Sequence, residues 1–155
     1  MSAPTTTTAN TTDKNLDAAC TAVATEIGRT DGKASLLLAF NGAVLAGLAT
    51  LADTELSAPT RVLGALAITA LGSASVLLLL VVRPHLGGQD HASFPYWARL
   101  AETEIHASMS SDTRTARIRI LSGIAVAKFT RLRRAVDCIL TALAFLALAA
   151  LSPLL

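Results

Sequence analysis

Two groups of charged side chains are the only parts of this chain whose types and spacing suggest binding chemistry. The first is Arg29, Asp31 and Lys33. The second is Lys128, Arg131, Arg133 and Arg134, and Arg83 stands alone between them in sequence. Each group lies just before a long apolar run. Guanidinium and ammonium groups brought to one depth from separate helices can hold a phosphate through charge-assisted and bidentate hydrogen bonds. Asp31 in that setting would pair with one of the arginines and orient it. The same residues also suit a plainer role, as topology anchors that touch lipid headgroups. Charge and spacing leave both readings open.

Other reactive side chains form no constellation. His85, His91 and His106 are scattered, and no Cys or carboxylate stands near them at a metal-ligand spacing. Cys20 and Cys138 belong to no CxxC or Cys/His cluster, so both are expected to pack as small hydrophobes. The serines lack a GxSxG context, and there is no GxxxxGK[ST] or GxGxxG run. Neither an enzyme, nor a bound metal, nor a cofactor is expected.

The elements that position the charged groups are apolar helices. Hydrophobic residues make up 52% of the chain and charged residues 15%, against roughly 25% charged in soluble domains. Three runs, 34–52, 62–82 and 136–155, each hold about 20 mostly apolar residues, the length needed to cross a hydrocarbon layer of roughly 30 Å. The expected fold is therefore all-α, a membrane protein with about three transmembrane helices. Asn41 is the strongly polar group inside the first span and is expected to hydrogen-bond to a neighbouring helix. Gly42, Ala46, Gly47, Gly64, Gly72 and Ser75 would allow close helix contact. A polar lining of Asn41, Thr69, Ser73 and Ser75 is the alternative use of those side chains.

Outside the spans, Leu16, Cys20, Val23, Ile27, Thr30 and Ala34 recur in steps of three and four, a coiled-coil-like seam that would run straight into the first span. Tyr96–Met109 has helical spacing at Trp97, Leu100, Ala101, Ile105 and Met109, and Ser110, Ser111 and Asp112 resemble a helix start. From residue 113 a helical pattern, with Ile118, Leu121, Ile124, Ala125 and Leu132 on one face, continues into the third span. Residues 1–12 read as a disordered tail and 13–155 as one helical domain, in which 13–33 and 83–135 form a small cytoplasmic bundle.

Of 13 Lys and Arg residues, only Arg61 falls in the loop between the first two spans. Cytoplasmic segments are enriched in Lys and Arg, so the N-terminus and the long segment 83–135 are expected inside and the C-terminus outside. A net charge of +2 is too mild to imply a nucleic-acid partner.

Three stretches resemble the transmembrane effectors of Pycsar anti-phage systems. These are the DxKAxxLL start of the first span within EIGRTDGKASLLLAFNGAVLAGL (Glu26–Leu48), the RP at Arg83–Pro84, and the basic helix AKFTRLRRAVDCILTALAFL (Ala127–Leu146). The resemblance covers roughly residues 15–150. It implies a membrane effector that senses a cyclic pyrimidine mononucleotide, cyclic UMP or cyclic CMP, made by a partner pyrimidine cyclase. It further implies damage to the bacterial inner membrane that ends the infection before the phage matures, with the chain acting as a homo-oligomer. Asp31, Lys33, Arg83, Lys128, Arg131 and Arg134 fall on the matching motifs and are the candidate ligand-binding residues. Two other readings fit the residues: a small membrane anchor for a soluble partner, without a ligand, and a constitutive holin-like pore former.

Overall fold

The computed structural model describes residues 5–51, 54–84 and 93–152. Five helices follow in order: α1 (Thr5–Ala49), α2 (Ala58–Val82), α3 (Phe94–Trp97), α4 (Glu102–Ser108) and α5 (Arg114–Leu151). No strand occurs among the described residues. Helices α1, α2 and α5 are long and apolar enough to cross a membrane, and α2 is the most apolar of the three. At about 1.5 Å per residue, the 25 residues of α2 fit a bilayer with little to spare. The 45 residues of α1 and the 38 of α5 exceed it, so both must extend beyond the apolar layer. This is an all-α membrane protein with three spanning helices.

The chain divides into two compact units. One holds residues 1–29 and 84–127, the other 30–83 and 128–155. In the second unit a seam with steps of four and three is buried on each helix. On α2 it runs Ala67, Leu71, Ala74, Leu78, Val81, and on α5 Lys128, Leu132, Ala135, Ile139, Ala142. Helix α1 contributes Thr30, Ala34 and Asn41. This spacing keeps one stripe of each helix facing its neighbours. Alanines occupy much of the stripe and let the backbones approach, which suits helices that gain little from apolar burial in lipid. Bulky side chains off the seams point outward: Leu36 is 74% exposed and Val62 61%, as lipid-facing residues should be.

The glycines do not serve the close contacts expected of them. A Cβ added at Gly42, Gly47, Gly64 or Gly72 would meet nothing within 4 Å, and Ala46 is exposed. Ser75 does sit at a contact. Asn41 Nδ2 donates to the Leu71 carbonyl at 2.7 Å and to Ser75 Oγ at 2.6 Å, the expected bond to a neighbouring helix. Turning the amide over would set oxygen against the Leu71 oxygen, so Oδ1 points elsewhere, buried and without a partner. Thr69 and Ser73 lie on the exposed side and bond back to the carbonyls of Ala65 and Thr69. They therefore share no lining with Asn41 and Ser75.

Several boundaries differ from the sequence expectation. Helix α1 already begins at Thr5, inside the stretch 1–12 expected to be disordered. Extending a formed helix fixes one residue per added hydrogen bond and needs no new nucleus, so the Thr-rich run follows the apolar seam behind it. The first span ends at Ala49 instead of residue 52. There the Thr50 hydroxyl takes the Gly47 carbonyl at 2.7 Å, a local bond that competes with the helix ladder. Helix α2 starts at Ala58, before the expected 62, because Pro59 lies in its first turn, where the missing N–H costs nothing. At that end Thr60 Oγ1 meets Ser152 Oγ at 2.6 Å. The third span reaches Leu151 within the described residues.

In the first unit the half-buried positions of α1 include Leu16, Cys20, Val23 and Ile27, the expected seam, together with Ala19 and Glu26. Those of α5 include Ile118, Leu121, Ile124 and Ala125. The helical spacing over Tyr96–Met109 is broken into α3 and α4. Glu104 reaches back to accept the Ala101 N–H at 2.9 Å, starting a fresh helix there. Met109 and Ala101 are consequently exposed, while Trp97, Leu100 and Ile105 stay half-buried. His85 and His91 lie outside the described residues.

Candidate functional site

Asp31 and Lys128 are brought together from α1 and α5. The Lys128 ammonium donates to both carboxylate oxygens of Asp31, at 2.5 and 2.8 Å. The Lys128 side chain is 11% exposed and that of Asp31 34%. Lys128 leads the buried series of α5, so its methylene stem packs along the seam and its charged end emerges beside Asp31. Thr30, one residue before Asp31, is also buried. The sequence expectation paired Asp31 with an arginine. Lysine takes that place because the arginines of the same helix sit off the seam.

Arg131 turns toward α2 instead, its Nη1 donating to the Leu80 carbonyl at 3.4 Å. The last carbonyls of a helix lack intrahelical donors and carry the negative end of its dipole, which favours a cation there. The Arg83 backbone N–H closes the same turn on Leu79 O at 2.9 Å. Lys33, Arg83 and Arg134 are exposed. None of the three is hydrogen-bonded or ion-paired to another side chain among the described residues. Of the six candidates, then, Asp31 and Lys128 satisfy each other, Arg131 is held weakly by a carbonyl, and Lys33, Arg83 and Arg134 keep their donors available. A fork-shaped guanidinium and a point-charge ammonium left open in this way are the groups that bind phosphate oxygens.

A second charged grouping, in the other unit, escaped the sequence reading. Arg114 opens α5 and contacts Asp112 at 2.9 Å, Asp17 at 3.2 Å and Asp13 at 2.5 Å. Asp112 also accepts the Arg114 backbone N–H at 3.1 Å, so the helix start expected at 110–112 does begin α5. Hydrogen bonds from Arg114 hold the Asp112 carboxyl below its ordinary range, and donating to Asp112, Asp13 and Asp17 raises the guanidinium. Asp13 and Asp17 are four residues apart on α1 and hence on one face. That spacing was a usable signal, but the partner lies about a hundred residues away. No group of His, Cys, Asp and Glu among the described residues could hold a metal ion.

The family described as Pycsar effector protein domain, PycTM, matches residues 15–155. The chain belongs to that family. It is thus a membrane effector in cyclic-nucleotide anti-phage defence, and not the cyclase of such a system. All six candidate residues of the effector lie inside the matched range. No curated protein and no solved structure matches the effector.

Proposed function

We propose that this effector senses a cyclic pyrimidine mononucleotide, cyclic UMP or cyclic CMP, supplied by a partner pyrimidine cyclase. It answers by impairing the integrity of the bacterial inner membrane, so that the infected cell stops growing before the phage matures. The observation that carries this reading is the family match over residues 15–155 of a chain with three spanning helices. The ligand's single phosphate is held by Lys33, Arg83 and Arg134, with Arg131 released from its long bond to Leu80. Lys128 stays engaged by Asp31 and sets the depth of the site. The N-terminus and the segment 83–135 face the cytoplasm, where the nucleotide is made, and their helices pack as a small bundle.

Binding can act only by favouring one packing of the helices over another. Shifting the effector from 1:99 to 99:1 requires about 5.5 kcal/mol of differential affinity. Three charged donors to one phosphate, at about 2–3 kcal/mol each, reach that figure when the other packing makes none of these bonds. Because α1 and α5 are continuous helices that extend beyond the apolar layer, a change at their basic stretches tilts or rotates spans, and homo-oligomers open the bilayer. The test is dye release from liposomes containing purified effector. Release should require cyclic UMP or cyclic CMP. Equal release with and without every cyclic nucleotide rules out gating.

A further inference from the structure

At the end of the second unit away from Asp31 and Lys128, the three helices leave a partly open groove of about 910 Å³. Its walls are apolar, with Leu45, Leu48, Leu51, Ile68 and Leu146 among them. Arg61 is the cation of its lining. No described residue pairs with that guanidinium. The hydroxyls in the lining are, by contrast, engaged: Thr54 bonds to the Leu51 carbonyl, and Thr60 to Ser57 and Ser152.

We propose that this groove is a binding site for one phospholipid of the surrounding bilayer. An apolar groove of this size is not stably filled by water, which needs two or more polar partners. The helices that form it cross a membrane, so the medium at its mouth is acyl chain. A chain seated against Leu45, Leu48, Ile68 and Leu146 places the lipid phosphate at the rim, where Arg61 supplies the complementary charge and a bidentate fork. Arg61 sits in the first turns of α2, close to where a spanning helix meets the headgroups. The occupant is therefore a lipid with an anionic phosphate, and an uncharged diacylglycerol of the same chains lacks the group that Arg61 reads.

The experiment is native mass spectrometry of the full chain released from nanodiscs of phosphatidylglycerol, with the matched diacylglycerol as the second lipid. One phosphatidylglycerol per chain should remain bound at collision energies that strip the remaining lipids, and at least fivefold more often than diacylglycerol. Arg61→Gln should bring phosphatidylglycerol retention down to the diacylglycerol level. Gly64→Leu should lower retention of both lipids at least threefold, since Gly64 lines the groove and a Cβ there meets no neighbour. Circular dichroism of both variants should match the parent. Retention that is the same for both lipids, or unchanged in the two folded variants, would mean an ordinary lipid shell and would overturn the site.

Discussion

Lys128–Asp31 and the Arg114 clasp both join a cation of α5 to carboxylates of α1, and they differ in surroundings more than in geometry. Lys128 and Asp31 meet in the second unit, with the lysine among buried side chains of the helix seam. Arg114 meets Asp13, Asp17 and Asp112 in the first unit, and all three carboxylates are exposed. By number of bonds the Arg114 clasp is the larger. By consequence it should be the smaller, because exposed ion pairs gain little over hydration and are screened by salt. A buried cation that loses its partner has no water to turn to.

The largest effect should come from Asp31→Ala, which strands the Lys128 ammonium. Removing one partner of a buried pair costs 3–5 kcal/mol in general. With Asp31 one-third exposed, about 2–3 kcal/mol is the expected loss in thermal unfolding in detergent. Lys128→Met should cost less than Asp31→Ala, and the double variant less than the sum of the singles. Strict additivity would break the comparison, since it would leave no coupling between the two side chains. Asn41 is an intermediate case, buried but uncharged. Asn41→Ala forfeits its bonds to Leu71 and Ser75 while also removing the unpaired Oδ1. A loss of about 1 kcal/mol follows, because the net value of two neutral bonds is offset by the relieved oxygen. A loss above that of Asp31→Ala would mean that polarity inside the span matters more than charge at its end.

Arg114→Gln should have the smallest effect, and a salt-dependent one. Trp97 lies in the same unit and is the single tryptophan, so its emission during denaturant unfolding reads the difference. Asp112 has a folded pKa below its ordinary value. Its contribution is complete above the unfolded pKa of about 3.9 and is lost as pH falls through the lower, folded value. The gap between the parent and Arg114→Gln should hold constant from pH 8 to about 4.5 and close below about 3.9. A gap that does not begin to narrow as pH falls below about 3.9 would show that Arg114 acts by packing.

The same contrast marks what could be read from sequence. Spans and seams were legible because each is a local pattern: an apolar run of bilayer length, or apolar steps of three and four such as Leu16 to Ala34. The RP at Arg83–Pro84 likewise falls where α2 ends. Partner choice was not legible. Nothing local distinguishes Lys128 from Arg131 as the partner of Asp31, because the answer depends on the register between α1 and α5, which are about a hundred residues apart. The Arg114 clasp was missed for the same reason. Small residues in the spans were ambiguous in another way. Ala34, Ala74 and Ala135 pack at contacts, whereas the glycines stand open, and composition does not separate the two. Pro59 read as loop, although a first turn accepts proline as readily.

We propose a cationic site around the Asp31–Lys128 pair in which Lys33, Arg83 and Arg134 hold the phosphate of a nucleotide. Calorimetric titration of the full chain in detergent with cyclic UMP and cyclic CMP addresses it directly. One of the two should bind the parent, and Arg83→Gln combined with Arg134→Gln should weaken it at least tenfold without changing helix content. Binding undiminished in that folded double variant, or absent from the parent for both nucleotides, would contradict the account.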